Sequence, residues 1–297
     1  MSQASLNVNS EAASAEKVSS PWRDAWKAFR RNKTAMLGLG IIVFFILIAA
    51  LAPFIAPYDY KEQVLMDRLK APSADHWFGT DDLGRDMFTR ILYGARISLW
   101  VGFFSVIGSI IVGTLLGVLA GFYGRWIDML ISRLFDILLA FPSILLAIAI
   151  VAILGPSLQN ALYAIAIVNI PTYGRLVRAK VLSLKSEEYI TAARAIGMKN
   201  TRILLTHILP NSLTPIIVQG TLGIATAIIE AAALGFLGLG AQPPEPEWGK
   251  MLSDSRQFIQ KAPWTVVFPG LSIMMTVLGF NLMGDGLRDV LDPRTKN

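Results

Sequence analysis

Three acidic residues with an arginine among them could bind a cation. Asp81, Asp82 and Asp86 lie beside Arg85, within the segment HWFGTDDLGRDMF. Carboxylate oxygens are the ligands that hard divalent cations prefer. The same spacing also suits a loop whose carboxylates accept backbone hydrogen bonds. The sequence favours the loop cap, and the lone nearby histidine does not make a metal site.

Residues for enzyme catalysis are scarce. The chain has no cysteine and two histidines, His76 and His207, which excludes disulfides, thiol nucleophiles and cysteine-ligated metals. The motifs G-x-x-x-x-G-K-[ST], H-E-x-x-H and G-x-S-x-G are absent from the sequence. The sequence therefore predicts that the chain is not an enzyme and has neither a metal nor a directly bound cofactor. An intramembrane protease is disfavoured because no catalytic dyad is available.

Two further features fall inside apolar segments. Glu230 is the only acid in its hydrophobic region, and a carboxylate within a membrane is a candidate functional group. A place on a polar rim or in an interhelical hydrogen bond is an equal alternative for it. Gly113, Gly117 and Gly121 recur every four residues, which predicts a flat strip where another helix packs closely.

The elements that position these residues are membrane-spanning helices. The chain is 297 residues long and 54% hydrophobic, with 16% charged residues, against about 25% in soluble domains. Uncharged runs of 22 residues or more cover residues 34–58, 97–124, 137–174, 208–229 and 262–284. A spanning helix needs roughly 20 apolar residues. The run 137–174 is long enough for two spans broken near LGPSLQN, so the sequence predicts an all-α membrane protein with six transmembrane helices.

This organisation gives a provisional division of the chain. The predicted segments are a disordered tail (1–19), an interfacial helix (20–33), a first span (34–58), an external loop (59–96), a five-span core (97–284) containing the loop 175–210, and a C-terminal tail (285–297). In the interfacial helix Ser20 is the expected cap, and Trp22, Trp26 and Phe29 share one face. Its basic residues suit a bilayer surface with anionic headgroups.

Basic residues indicate the orientation. Six spans put both termini on one side. That side carries 18 of the 27 Lys and Arg residues, and the opposite loops carry 9. By the positive-inside rule both termini are cytoplasmic. The net charge of +6 is therefore mainly topological, and no soluble basic domain indicates a nucleic-acid partner.

A charged segment, SEEYITAARAIGMKN at 186–200, separates two hydrophobic regions. Ser186 is the expected cap of a short helix, with Tyr189, Ala193 and Ile196 on one face and Ile190 beside it. A helix of about ten residues is marginal alone in water, so a partner is expected to hold it. The glycine that follows, Gly197, permits a left-handed turn. The segment is predicted to dock on another protein at the cytoplasmic face.

This segment resembles the EAA loop of permease subunits of bacterial ABC importers, whose pattern is E-A-A-x3-G-x9-I-x-L-P. Thr191 and His207 depart from the pattern, where it has Glu and Ile. The resemblance implies that the segment is a coupling helix seated on an ATPase. The residues assigned to this coupling site are Glu188, Tyr189, Thr191, Ala192, Ala193, Arg194, Ile196, Gly197, Met198, Leu209 and Pro210.

Further motifs extend the resemblance over nearly the whole chain. FGTDDLGRD (78–86), FLGLGAQPPEPEWGKML (236–252) and FNLMGDGLRDVLDP (280–293) are similar to the C-type permeases of bacterial dipeptide/oligopeptide importers. The resemblance implies the type I permease fold of ABC importers and a place in the bacterial inner membrane. It implies a second permease as heterodimer partner, two ATPases that bind ATP and Mg, and an external peptide-binding protein.

The substrate is the open part of this prediction. Di- and oligopeptides are the expected substrates, and relatives in this fold carry glutathione or nickel. A different class, an ion-coupled secondary transporter, would need paired intramembrane carboxylates and internal repeats. The sequence offers Glu230 alone and no clear repeat, so this class is disfavoured.

Overall fold

A computed structural model describes residues 21–291, with side chains from residue 26 onward. The helices are α1 (Pro21–Arg31), α2 (Lys33–Ile55), α3 (Met87–Tyr123), α4 (Arg125–Leu139), α5 (Ser143–Leu154), α6 (Leu158–Lys185), α7 (Glu188–Ala195), α8 (Asn200–Ile203), α9 (Leu209–Phe236), α10 (Trp248–Ser255) and α11 (Trp264–Leu291). A π-helical segment, Leu204–Ile208, joins α8 to α9. The described residues form no β-strand, so the all-α prediction is confirmed for this part of the chain.

Four helical segments are long and apolar enough to cross a bilayer. They are Lys33–Ile55, Met87–Tyr123, Asn200–Phe236 and Trp264–Leu291, and the bent pair α4–α5 would make a fifth. The predicted total of six also requires α6. That helix has 28 residues, about 42 Å of length, but it is more polar than the others. Its C-terminal half carries the basic residues Arg175, Arg178, Lys180 and Lys185.

The third predicted span, at the start of the run 137–174, is not one straight helix. α4 and α5 meet at an angle of 91° around residues 140–142. Pro142 precedes α5, and the residue before a proline is driven away from helical dihedrals. α5 has only 12 residues, about 18 Å, so it cannot cross the hydrocarbon alone. The predicted break near Gly155, by contrast, is where α5 ends and α6 begins.

The second long helix starts earlier than the sequence predicts. α3 begins at Met87, inside the segment 59–96 assigned to the external loop. Asp86 caps it, because its carboxylate accepts a hydrogen bond from the Thr89 N–H at 2.8 Å. Charged residues in its first turns hid this start from a search for uncharged runs. At the other end of the chain α11 continues to Leu291, so the first seven residues of the predicted tail are helical.

The predicted N-terminal helix is present as α1, and α2 follows after one residue. Asn32 separates the two helices and caps α2 through a hydrogen bond from the Ala35 N–H at 3.1 Å. Phe29 is buried and Trp26 is half-exposed, with their rings stacked 5.8 Å apart. Ser20 and the side chain of Trp22 lie outside the described part of the structure.

Three of the five clusters of buried apolar side chains bear on the candidate site. The largest joins α3, α5, α6 and α9. A second lies at one end of α6 and joins it to α7, α8 and the end of α3. A third joins α2, α3 and α10 at the opposite end. The second cluster positions the candidate site.

Candidate functional site

The candidate coupling helix is α7, an eight-residue helix between α6 and α8. Its N-cap is Glu187, and no side chain caps it. The prediction that Ser186 caps this helix is wrong. Ser186 instead ends α6, where its hydroxyl donates to the Ser183 carbonyl at 2.8 Å. The polar residue that the sequence offers as a start is thus used to satisfy an orphan carbonyl at the preceding helix end.

Two side chains attach α7 to the rest of the chain. Ile190 and Ala193 are buried in the cluster that includes Val181 and Leu184 of α6. The predicted common face of Tyr189, Ala193 and Ile196 therefore does not form. α7 ends at Ala195, so Ile196 is the C-cap and lies off the helical repeat. Its side chain is 79% exposed.

Gly197 gives α7 its ending. Its φ of +82° lies in the left-handed region, and no heavy atom would approach an added Cβ within 4 Å. The Gly197 N–H donates to the Arg194 carbonyl at 2.9 Å, and the Met198 N–H donates to the Ala193 carbonyl at 3.0 Å. These two bonds form a Schellman motif. Glycine is used here for its backbone conformation and not for a close approach.

The outward surface of α7 carries most of the predicted coupling residues. Glu188, Thr191, Ala192, Arg194 and Ile196 are exposed, and Tyr189 is 43% exposed. Met198 is half-buried against the second cluster. The structure thus brings these residues together on α7 and the turn that follows it, and most of them are exposed.

The π-helical segment links α7 to a long helix. In this segment the Leu209 N–H bonds to the carbonyl of Leu204, five residues back. Pro210 follows, and a proline removes one helical hydrogen bond and displaces the carbonyl four residues earlier. A widened turn accommodates this proline. The Tyr189 and His207 rings meet edge to face at 6.1 Å, so α7 touches the segment where His207 departs from the family pattern.

The predicted glycine strip packs against α6. A Cβ added at Gly113 would lie 2.8 Å from the Ile170 carbonyl, and one at Gly117 would lie 2.4 Å from the Gly174 carbonyl. One at Gly121 would lie 2.9 Å from the Val181 Cβ. The partner that the spacing predicts is therefore a helix of the same chain, the one that leads to α7.

Glu230 lies within the helix bundle. It is 8% exposed, and it accepts a hydrogen bond from the Asn169 amide of α6 at 2.9 Å. The Ser143 hydroxyl of α5 also hydrogen-bonds to this carboxyl. Of the two alternatives left open by the sequence, this geometry matches the interhelical hydrogen bond. Nothing in the local sequence around Asn169 identifies it as the partner, because the two residues are 61 positions apart.

The acidic residues that precede α3 form a hydrogen-bonded loop. Asp81 accepts from the N–H groups of Leu83 and Arg85 at 2.9 Å and from the Arg85 side chain at 2.6 Å. Asp86 caps α3 and contacts His76 at 3.0 Å. Among the described residues no group of His, Cys, Asp and Glu has the arrangement of a metal site. These contacts agree with the loop-cap interpretation.

Glu247 is a buried group that the sequence analysis missed. It is 2% exposed and caps α10, where its carboxylate accepts from the N–H groups of Gly249 and Lys250 at 2.8 Å. Burial raises the pKa of the Glu247 carboxyl to about 7, and the two backbone donors oppose that rise. An acid followed by Trp-Gly-Lys after a run of prolines is a readable cap signal, which the search for membrane carboxylates passed over.

Comparison with known proteins identifies two families that match parts of this chain. Residues 113–297 match the family described as "Binding-protein-dependent transport system inner membrane component". Residues 20–72 match the "N-terminal TM domain of oligopeptide transport permease C". These matches cover the core and the N-terminal helices, respectively.

Several relatives align over almost the whole chain. The dipeptide transport system permease protein DppC of Alkalihalophilus pseudofirmus is 72% identical over 94% of this chain and 91% of its own length. The di/tripeptide transport system permease protein DppC of Pseudomonas aeruginosa is 51% identical over 94% of each chain. The glutathione transport system permease protein GsiD of Pectobacterium atrosepticum is 50% identical over 94% of this chain and 93% of its own length.

Among solved structures, the inward-facing MetNI methionine ABC transporter is similar to 69% of this chain and 97% of the matching chain. The TM-score is 0.58 at 21% sequence identity, a similarity that shows the fold. The predicted ABC importer permease fold and the resemblance to peptide permeases are both confirmed. The chain belongs to the family of inner membrane components of binding-protein-dependent transport systems.

Proposed function

We propose that this chain is one permease subunit of an ATP-driven peptide importer. With a second, different permease it forms the path for di- and oligopeptides that an external binding protein delivers. The proposal is supported by the relative named as a dipeptide permease, which is 72% identical. Relatives named as glutathione permeases are 50% identical, so glutathione is the second candidate substrate.

The observation that carries the mechanism is the exposed surface of α7. Ile190 and Ala193 fasten the helix to the end of α6, while Tyr189 and Ile196 remain open to a partner. In the proposed orientation this surface is cytoplasmic and lies in a groove of one of two ATPases. ATP and Mg²⁺ belong to those subunits. Closure of the ATPases displaces α7, and the attached helices convert the path between outward-open and inward-open states.

Reconstitution tests whether uptake requires the second permease, the ATPases and the binding protein. Labelled dipeptide uptake is measured in proteoliposomes that contain the chain with its second permease, the two ATPases and the binding protein, and in vesicles with the chain alone. Uptake that requires every component and ATP is expected. Uptake by the chain alone, driven by a proton or sodium gradient, would instead support an ion-coupled transporter.

A substitution on the open surface tests the contact itself. Ile196→Glu places a charge where an apolar partner surface is expected, and Ile196→Val is the matched control because it keeps the apolar character. The glutamate variant should lose most uptake while the assembled permease pair remains intact. Equal uptake by the two variants would contradict ATPase docking at this surface.

Competition separates the two substrates. Dipeptide and reduced glutathione are titrated against the cognate binding protein, and each is then offered for uptake. Preferential binding and import of dipeptide is expected. Preferential import of glutathione would keep the importer mechanism and change the substrate.

A further inference from the structure

An apolar groove lies beside the coupling region, on the outer surface of α3. It has a volume of about 470 Å³. Five α3 side chains between residues 111 and 119 form one wall, and four side chains between residues 201 and 209 form the other. The second wall therefore includes the π-helical segment directly behind α7. The groove is separate from the outward surface of α7 and from the Glu230 hydrogen bonds.

The rims of this groove are open. Ile111, Leu115 and Leu205 are 63%, 59% and 66% exposed, respectively. Large aliphatic side chains with this exposure in a membrane protein face hydrocarbon or another subunit. All but two of the nine lining residues are Leu, Ile or Val. The groove thus has the chemistry of an acyl-chain site.

One end of the groove is basic. The α3 wall continues by one turn from Val118 to Phe122, whose carbonyl accepts from the Lys185 ammonium at 2.8 Å. The Arg194 guanidinium lies 5.7 Å from the Phe122 ring centre. On the other wall, Thr201 stands between Lys199 and Arg202 in the sequence.

Neither Lys199 nor Arg202 has an acidic partner among the described residues, and both are exposed. An apolar groove beside two unpaired cations, Lys199 and Arg202, is complementary to one class of molecule. An anionic phospholipid offers acyl chains for the groove and a phosphate for the cations, at the leaflet where basic side chains gather. A helix of the second permease is the competing occupant, which would supply apolar side chains but no phosphate.

We infer that an anionic phospholipid of the cytoplasmic leaflet binds between α3 and residues 201–209, with its phosphate at Lys199 and Arg202. This inference depends on the orientation in the proposed function. The acyl chain lies against the π-helical segment, which follows α7 and α8 in the chain and leads into α9. The bound lipid therefore holds this connection against α3, and its presence favours productive coupling of the ATPases to the permease.

Retention of phosphatidylglycerol by the purified importer tests this site. The complete complex is placed in phosphatidylcholine nanodiscs containing increasing phosphatidylglycerol, and the lipid that stays bound is measured by native mass spectrometry. The double variant Lys199→Gln/Arg202→Gln should weaken retention by roughly tenfold or more, since each basic residue at a membrane surface contributes about fivefold in affinity. The matched control is Arg125→Gln/Arg133→Gln, two exposed cations of α4, which should retain the lipid.

The apolar half of the site has its own variant. Leu115→Trp is designed to fill the apolar groove. The control is Leu47→Trp on α2, because Leu47 is similarly exposed, at 52%. Loss of bound phosphatidylglycerol in the first variant but not in the second is expected. Equal retention in all variants would overturn the proposal.

Cross-linking distinguishes the lipid from a protein occupant. The natural chain has no cysteine, so Leu205→Cys gives a single thiol at the rim. Efficient cross-linking of this thiol to the second permease would assign the groove to that subunit and overturn the lipid site. Dipeptide uptake in the same nanodisc lipids, reconstituted as vesicles, is a separate readout. Normal dipeptide uptake by a complex that retains no phosphatidylglycerol would overturn the lipid site and leave the importer proposal intact. Retention of the lipid without any dipeptide uptake would contradict the proposed importer function.

Discussion

Glu247 is a buried carboxyl at the end of the molecule opposite α7, and its raised pKa predicts that the stability of the protein depends on pH. Its carboxylate accepts hydrogen bonds from the N–H groups of Gly249 and Lys250 and so caps α10. Burial penalises the charged form more than these donors favour it, so the pKa rises from the ordinary value of 4.5 to about 7. The folded chain therefore binds a proton here over a pH range in which the unfolded chain has released it.

This difference predicts the sign of a stability change. The contribution of Glu247 is fully present below pH 4.5 and is lost as the pH rises through about 7, because the folded state binds more protons than the unfolded state in that window. Its size is about 3 kcal/mol. Glu247→Gln should flatten the pH dependence of the melting temperature of the solubilised complex between these values.

Glu62→Gln is the control for that measurement, because Glu62 is exposed in the segment that precedes α3. It should leave the slope unchanged. The same slope in wild type and Glu247→Gln would show that Glu247 titrates in the folded protein as it does in the unfolded chain.

The packing of α3 on α6 depends on the absence of side chains. At Gly117 an added Cβ would lie 2.4 Å from the carbonyl oxygen of Gly174, and a backbone oxygen cannot move without the whole helix. At Gly108, in the same helix, the nearest atom to an added Cβ is the Ala166 Cβ at 3.5 Å, which is ordinary contact. Gly108→Ala is therefore a matched control for Gly117→Ala, because the same substitution is made in the same helix and only the packing around the glycine differs.

Gly117→Ala should destabilise the permease by roughly 1–3 kcal/mol, the usual cost of overpacking, while Gly108→Ala should be neutral or slightly stabilising. Thermal unfolding of the solubilised complex measures both. Because α6 leads directly to α7, the Gly117 variant should also lower peptide uptake. Equal melting temperatures of the two variants would mean that α3 and α6 can move apart to admit a methyl group without loss of stability.

The turn after α7 supports a second matched comparison. Gly197 and Gly155 have φ values of +82° and +93°, and neither has a heavy atom within 4 Å of an added Cβ. They lie beyond opposite ends of α6. Alanine should cost roughly 1–2 kcal/mol of backbone strain at Gly197 and up to about 3 kcal/mol at Gly155, whose ψ of 151° lies in a region almost confined to glycine. Only Gly197 connects α7 to α8.

Gly197→Ala should therefore lower the number of peptides imported per ATP hydrolysed, and Gly155→Ala should lower stability alone. The measurement is simultaneous uptake and ATP hydrolysis in proteoliposomes. A normal ratio in the Gly197 variant would argue against transmission of movement through this turn. A lowered ratio in the Gly155 variant would show that strain anywhere along α6 uncouples the importer.

Some of these elements could be predicted from the sequence and others could not. The short helix and its glycine turn were predictable, because helix periodicity and a left-handed glycine are local properties. The break between α4 and α5 also has a local signal in Pro142, but the angle of 91° between the two helices does not. α4 is held beside α6 by ion pairs between Arg178 and Asp128 at 2.5 Å and between Arg175 and Asp136 at 2.6 Å. Such pairs between distant parts of the chain leave no local pattern.

The face by which α7 is anchored was also mispredicted, for a physical reason. The helix ends one residue before Ile196, and the buried face is set by the end of α6, which a helical projection does not contain. Similarly, the partner of Glu230 is on another helix. Which residues occupy the coupling segment was predictable, whereas their orientation depends on tertiary packing.

At the scale of the whole molecule, the two ends of the helix bundle differ in their charge and in the elements that they carry. α7, the basic end of the groove and the C-terminal part of α6 lie together, and the capped acidic loop and Glu247 lie toward the other end. The excess of Lys and Arg is on the α7 side, with 18 residues against 9. This distribution predicts that α7 faces the cytoplasm, a requirement for contact with an ATPase and for the inferred lipid.

Single cysteines test that orientation, since the natural chain has none. Glu62→Cys is exposed in the segment before α3, and Ile196→Cys replaces a side chain that is 79% exposed beyond α7. A membrane-impermeant maleimide should label the Glu62 variant in intact spheroplasts. It should label the Ile196 variant only after permeabilisation, in cells that lack the ATPases, since a docked ATPase would cover this residue. Uptake by both variants in the complete importer is measured first, so that labelling reports a functional chain. Labelling of the Ile196 variant in sealed cells would place α7 outside, where no ATP-hydrolysing partner can reach it, and the coupling role would fail with the orientation.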